Sequence, residues 1–226
     1  MGGLAATWVA LYASDPLPNW SVVPVAVVLG MLAGAVWAAI PAILRAYLNV
    51  NETITTLMMN YIAILLVSHI YHGPWRDPEG YGFPGTARFP EVAWLPRIYD
   101  RAHAGLFLAV IAAAILWFVL QRTKWGFELR IAGENPKAAR YIGINIPMLI
   151  IKAMLVSGAL CGLAGVCEVT GVMRRLQQGL TVGYGYTAII VAWMSQLNPW
   201  GVLLVAFLLA ALLVGGDQIQ MALGVP

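Results

Sequence analysis

Four stretches of this chain, residues 21–44, 54–70, 104–120 and 148–169, run on with almost no charge. Each is close to the roughly 20 apolar residues a helix needs to cross a bilayer. In lipid, water cannot satisfy backbone N–H and C=O groups, so a spanning segment must bond to itself as a helix or close into a barrel. Continuous apolar runs of this length select the helix. The composition agrees: 61% of the 226 residues are hydrophobic and only 10% are charged, against about a quarter charged in soluble domains. With a mean hydropathy of +0.78, the expected fold is an all-α, polytopic transmembrane helical bundle. Residues 3–12 are apolar but too short to span, and read like the tail of a helix. Residues 186–194 and 200–214, separated by Asn198-Pro199, are also short for a bilayer and predict short or broken helices near the C-terminus. The formal charge of +3 suits Lys and Arg beside a membrane and gives no argument for nucleic acid.

Small and polar residues punctuate the spans. Gly30 and Gly34 in the first, and Gly158, Gly162 and Gly165 in the fourth, are spaced for close helix contact. Asn49 or Asn51 is placed to cap the second span, with Glu52 in its first turn. Cys161 and Cys167, six apart in an apolar run, read as small buried residues rather than a disulfide or metal pair. His69, His72 and His103 flank a long polar segment; the three-residue spacing of the first two is compatible with a metal, but loop placement explains it.

Two polar segments join the spans. Residues 122–140 hold Arg122, Lys124, Arg130, Lys137 and Arg140, whereas 72–103 spreads Arg76, Arg88, Arg97 and Arg101 over more residues. Positive charge concentrates on the cytoplasmic side, which places 122–147 in the cytoplasm and 72–103 outside. Arg45 agrees with this orientation; Arg174 and Arg175 count against it. Within the first segment, Asn135 is a good N-cap and Pro136 suits the first helical position. Ala138 and Ala139 propagate helix and Gly143 can close it. A helix of about two turns follows, marginal alone and therefore packed on something, either the chain's own helix ends or a partner.

Those residues carry a resemblance. Gly133–Ile144 is similar to the cytoplasmic coupling helix of ABC importer permeases, in the family of ribose, branched-chain amino acid and nucleoside permeases. The stretch Val50-Asn51-Glu52-Thr53-Ile54-Thr55-Thr56-Leu57-Met58-Met59-Asn60-Tyr61 resembles the nucleoside, or simple-sugar, branch. So do His72-Gly73-Pro74 with Arg76-Asp77-Pro78, the run from Ser157 to Gly165, and Glu168. The similarity extends from about residue 20 to the end. It implies a permease subunit that moves nucleosides or related simple sugars by alternating access. A cytoplasmic ATPase dimer, which uses ATP and Mg, would sit below. A second permease subunit, identical or different, would stand beside it, and an extracytoplasmic substrate-binding protein would dock above. It implies a multi-pass protein of a prokaryotic plasma (inner) membrane that binds no cofactor itself. The absence of a Walker A sequence fits hydrolysis on another chain. Gly133, Glu134, Asn135, Pro136, Lys137, Ala139 and Arg140 would lie at or near the ATPase. Permeases of this family carry more helices before residue 20 and another after residue 226, so residues 1–226 resemble one permease domain truncated at both ends, or one that starts late.

Other residues suggest a path. Asn60 is a polar amide inside the second span, where lipid disfavours it; it either faces a path or bonds another helix. Tyr61 is a weaker candidate. Glu168, near the outer end of the fourth span, is a candidate for substrate contact, gating, or pairing with Arg174 or Arg175. Tyr184 and Tyr186 can stack on a sugar or base. They adjoin Thr181-Val182-Gly183-Tyr184-Gly185, the letters of a potassium-channel filter. A filter needs a pore helix before it and a mouth after it. Here Arg174 and Arg175 precede, an apolar helix start follows, and the permease branch has a similar stretch. The segment reads as a glycine-rich bend. Interrupted segments such as 183–197 and 200–216 point toward a transport path. A stand-alone channel or facilitator is the alternative function. A membrane-embedded enzyme lacks the paired acidic or His residues it would need.

Overall fold

The computed structural model describes residues 1–14, 16–80, 82–99, 102–180 and 183–223. It is helical, with one small hairpin. In chain order come α1 (Gly2–Trp8), continued by a π-helical turn (Val9–Ala13), α2 (Val22–Leu48), α3 (Glu52–His72), β1 (Arg97–Tyr99), β2 (Ala102–His103) and α4 (Gly105–Arg122). Then follow α5 (Lys124–Glu134), α6 (Pro136–Tyr141), α7 (Ile146–Cys167) with a π-helical extension (Glu168–Met173), α8 (Tyr184–Met194) and α9 (Pro199–Leu223). Among the described residues five helices are long and apolar enough to cross a membrane: α2, α3, α4, α7 with its extension, and α9. The chain divides into two compact units, Met1–Leu106 with Glu128–Leu180, and Phe107–Phe127 with Thr181–Pro226.

The first unit is organised by α2 against α7, with α1 laid along both. The glycines expected to allow close contact do so. A Cβ added at Gly34 would overlap the Gly158 carbonyl oxygen, and one at Gly162 would overlap that of Gly30. At Gly158 it would stand 2.6 Å from the Gly34 carbonyl oxygen. Backbone therefore touches backbone, the arrangement by which membrane helices gain van der Waals contact without a hydrophobic drive. Two buried threonines, Thr7 of α1 and Thr170 of the π-helical extension, bond to their own helices: Thr7 donates to the Gly3 carbonyl at 2.7 Å and Thr170 to that of Val166 at 2.8 Å.

Both polar ends of the first unit are built by local chemistry. α2 stops at Asn49, which takes the left-handed conformation (φ 51°) that Asn tolerates at a helix end. Two residues later the Asn51 side chain accepts from the Thr53 and Ile54 N–H groups at 3.0 and 3.4 Å, so Asn51, not Asn49, caps α3. At the far end, the described residues of 72–103 are more than a polar loop. Thr86 and Phe89 donate backbone bonds to the Leu176 and Arg174 carbonyls, each at 2.9 Å, and Leu176 N–H donates to the Thr86 hydroxyl at 3.0 Å. Phe89, Ala93, Leu95 and Leu176 are buried. The segment is a cap sewn onto the extension of α7. Its aromatic and Pro-rich composition supplies a small core as well as turns.

In the second unit, α8 and α9 form a helical hairpin. Gln196 and Leu197 turn through positive φ (52° and 60°), and Asn198 accepts from the Trp200 N–H at 3.1 Å to cap α9. α8 is short, as its sequence indicates. α9 corrects the expectation for 200–214: it runs 25 residues and is membrane-length. Gly215 and Gly216 each cost about 1 kcal/mol relative to Ala in a helix. Opening the backbone in lipid costs several kcal/mol per unsatisfied group, so the helix continues through them. Thr181 and Val182 lie outside the described residues. Gly183 is left-handed (φ 83°) at the start of α8, so the latter part of the filter-like stretch enters a helix, as the bend reading requires.

Gly34→Leu or Gly158→Leu is expected to lower the stability of the detergent-solubilised protein by about 3 kcal/mol or more, seen as a fall in its thermal midpoint. Gly215→Ala, whose Cβ meets nothing within 4 Å, should be neutral or stabilise by about 1 kcal/mol in the same assay.

Candidate functional site

Two features of the first unit carry functional chemistry: a capped helix at one end of α7, and a chamber further along it. The Asn135 side chain accepts from the Lys137 and Ala138 N–H groups at 3.0 and 3.1 Å, Pro136 occupies the first turn, and Gly143 turns the chain out at φ 84°. The six-residue α6 is therefore fixed at both ends, and its left-handed exit suits glycine. Gly133, Glu134, Asn135, Pro136, Lys137 and Arg140 are exposed; Ala139 is fully buried and seats the helix. Tyr141, which sequence reasoning passed over, is 92% exposed, and Ile142 beside it is 62% exposed. An anchored helix end that presents an aromatic ring and an Ile to solvent is built to be covered. Its helical position five residues after Pro136 was the available signal for Tyr141.

The chamber, of about 340 Å³, is lined by one face each of α2, α3 and α7, together with Met1, Gly2 and Gly162. From α2 come Gly34, Trp37, Ala38 and Pro41; from α3, Thr56, Met59, Asn60 and Ala63; from α7, Met154, Ser157, Gly158 and Cys161. Each set is i, i+3, i+4, i+7, one helix face. The glycines that bring α2 and α7 together thus form one wall of the chamber. Its polar groups are few. Asn60 is half-buried and makes no hydrogen bond to the described residues, so its amide is available inside. Pro41 has no N–H to offer the Trp37 carbonyl, its helical partner four residues back, which leaves that acceptor without its intrahelical donor. With the Trp37 ring they form a small, mostly apolar cavity with convergent polar groups, the usual character of a small-molecule site. Sequence reasoning found Asn60 but missed Trp37, Thr56 and Ser157; the repeated spacing was the signal.

The other path candidates do not gather here. Tyr61, one residue from Asn60, turns outward and is 58% exposed. Glu168 opens the π-helical extension of α7, half-buried and away from the chamber lining; it forms no ion pair with Arg174 or Arg175. Tyr184 and Tyr186 stand exposed on the first turn of α8, in the second unit. π-Helical turns concentrate at functional sites, and here one joins the membrane part of α7 to the cap. The His103 ring is held against it: a Cβ on Gly171 would come within 2.8 Å of the imidazole. Its Nδ1 accepts the Gly105 N–H at 3.1 Å, a bond that requires that nitrogen unprotonated, and burial pushes the imidazole pKa below its ordinary value. His72 donates from Nδ1 to the Ser68 carbonyl at 2.9 Å, the expected behaviour of a helix-end histidine.

Comparison with known proteins decides the family. A model of the family described as branched-chain amino acid transport system / permease component matches residues 1–225. The chain belongs to that family. Its five membrane-length helices accord with the multi-pass plasma-membrane proteins of that family. It is 36% identical to a glucose ABC transporter permease protein of Haloferax volcanii and 35% identical to a guanosine ABC transporter permease protein of Bacillus subtilis, each alignment covering 100% of this chain. A nucleoside ABC transporter permease protein of Lactococcus lactis is 32% identical over 95% of it. The nucleoside and simple-sugar resemblance therefore holds, and it reaches further toward the N-terminus than residue 20. The chain spans 62%, 66% and 61% of the length of these three relatives. No solved structure matches it.

Asn135→Ala is expected to cost α6 about 1 kcal/mol. Hydrogen exchange of the Lys137 and Ala138 amides should accelerate about fivefold, with exchange in α7 unchanged.

Proposed function

We propose that this chain is the membrane-spanning permease subunit of an ATP-driven ABC importer for nucleosides or related simple sugars. The observation that carries the reading is α6: a helix capped by Asn135, seated by Ala139 and exposing Tyr141, in a chain that belongs to a permease family. Such a helix can receive a push without unwinding. The partner suited to it is a cytoplasmic ATPase dimer, which would bind ATP and Mg and hydrolyse the nucleotide. Glu134, Lys137, Arg140 and Tyr141 would face it.

Coupling follows from connectivity. α6 leads through a short turn capped by Asn145 into α7, and the Gly158–Gly162 face of α7 is locked to α2. A displacement of α6 therefore moves α7 against α3 or carries α2 with it, and either changes the chamber between them. Alternating access in this scheme is a two-position rearrangement of packed helices. A monosaccharide or nucleoside offers hydroxyls to the Asn60 amide and the Trp37 carbonyl, and a flat or apolar face to the Trp37 ring. The relatives' names support this class: glucose, guanosine and nucleosides. A second permease subunit would complete the membrane pair, with residues 72–103 toward a substrate-binding protein outside.

Two experiments test the proposal. When the tagged permease is co-expressed with its host's ATPases, one should co-purify, and it should be lost with Glu134→Arg plus Arg140→Glu; a well-folded protein that captures none would sink the ATPase assignment. In cells, Asn60→Leu should cut uptake of radiolabelled guanosine by about tenfold at unchanged permease abundance, the scale of one lost buried polar contact. Unchanged uptake would remove Asn60 from the path.

A further inference from the structure

The end of α7 away from α6 gathers positive charge at the height where membrane meets water. From Ile146, just after the Asn145 cap, to Met173 the helix and its extension run 28 residues, about 40 Å at helical rise. A bilayer measures about 40–45 Å with its headgroup layers, so Val172 and Met173 reach the level of the phosphates in the leaflet opposite α6. Arg174 follows them and is 8% exposed. Its guanidinium lies 3.9 Å from the centroid of the Trp94 ring, and that of Arg88 lies 5.8 Å from the same ring. The indole N–H donates to the Phe89 carbonyl at 3.0 Å, and tryptophan is enriched at this depth. The Arg174 Nε is buried and has no hydrogen-bond partner. The charges that act on this guanidinium are Arg97 and Arg88, of like sign, and Glu91, of opposite sign. Among the described residues none of Arg88, Arg97, Arg174 and Arg175 takes part in an ion pair; the pair between Arg45 and Glu52, at 3.6 Å, is elsewhere.

Beside this cluster opens a cavity of about 510 Å³ lined by Arg88, Arg175, Gln177, Val172 and Met173. Its lining has two halves. The exposed guanidiniums of Arg88 and Arg175 can each give a phosphate two parallel N–H bonds. Val172, 55% exposed, and Met173 add an apolar wall at the end of the span. A hydrated inorganic anion would use the first half and leave the wall bare. A phospholipid uses both: its phosphodiester lies between the arginines, and its glycerol and first methylenes rest on the wall. Gln177 can bond a headgroup hydroxyl. Four arginines against one glutamate favour a lipid of net negative charge over a zwitterionic one.

We propose that this cavity holds one anionic glycerophospholipid, by its phosphate, in the leaflet opposite α6. Arg88 and Arg175 make the direct contacts, and Arg174 on Trp94 supplies positive potential behind them. Arg88 belongs to the cap and Arg175 to the segment after α7. A shared phosphate therefore ties the two together, beside the backbone bonds of Thr86 and Phe89 to Leu176 and Arg174. The inference depends on the membrane placement of α7 and not on what the permease carries.

The test is native mass spectrometry of the full-length permease, released from detergent micelles after titration with phosphatidylglycerol or phosphatidylcholine. The unaltered protein should retain its first phosphatidylglycerol about tenfold more tightly than phosphatidylcholine. Arg88→Gln combined with Arg175→Gln should weaken that retention about tenfold or more and abolish the preference. Arg76→Gln, on the same cap but not at the cavity, should change it less than about twofold. Val172→Ser keeps every arginine and should still weaken it about threefold, through the apolar wall. Phosphatidylglycerol should also raise the thermal midpoint of the unaltered protein and not that of the double variant. Should the double variant not fold, Arg88→Gln and Arg175→Gln are read singly, each expected to weaken retention about threefold or more. Equal retention of the two lipids by the unaltered protein would overturn the inference, as would undiminished preference in the arginine variants. If millimolar inorganic phosphate displaces phosphatidylglycerol while Val172→Ser changes nothing, the cavity takes a free anion and the lipid assignment falls.

Discussion

The contact between α2 and α7 is the constraint from which the rest of the first unit follows. Gly30 and Gly34 meet Gly158 and Gly162 with no side chain between the backbones. In lipid, apolar burial gives helices no reason to associate, so the gain comes from close packing alone. One methyl group at this seam would separate the helices. The seam then sets the other positions: α1 lies along the groove, and α3 reaches the pair only across the tight turn after Asn49. The space left where α3 diverges is the chamber.

That geometry ties the packing surface to the proposed transport path. The glycine faces are at once the packing surface and a chamber wall, so the helices cannot shift without reshaping the cavity. α7 connects the parts. Its N-terminal end receives α6, its middle lines the chamber, and its extension carries the cap with the arginine cluster. From Ile146 to Met173 it is 28 residues, about 40 Å at helical rise, enough to link the two membrane surfaces in one element. The break in its regularity, the π-helical turn at Glu168–Met173, falls where the membrane segment ends and the cap begins.

Charge follows the same axis. Lys137 and Arg140 of α6 are exposed beside the N-terminal end of α7, the end proposed from the Lys and Arg distribution to face the cytoplasm. Arg174 and Arg175 run against that trend, and the cap accounts for their retention: one is stacked on Trp94, the other lines a cavity. A charge count along the sequence sees only the exception. The fold shows that the exception is a cluster.

The sequence by itself determined the all-helical membrane fold, the limits of four of the five membrane-length helices among the described residues to within a few residues, and the capped helix at 136–141. These depend on local chemistry: apolar length, an Asn cap, a Pro at the first turn and a Gly exit act over a few neighbouring residues. The glycine spacing also announced close contacts, and Asn60 stood out as polar within a span. Tertiary structure alone decided which glycine faces meet, that Trp37 and Ser157 share a chamber with Asn60 while Tyr61 turns away, and that α9 runs through two glycines. It also turned the described residues of 72–103 from a polar loop into a cap and brought Arg88 to Arg174, 86 positions later in the chain, over one indole ring. Such pairings come from helix rotation and backbone contacts between distant segments. Periodicity records which residues of a helix share a face, but carries no information about what that face will meet.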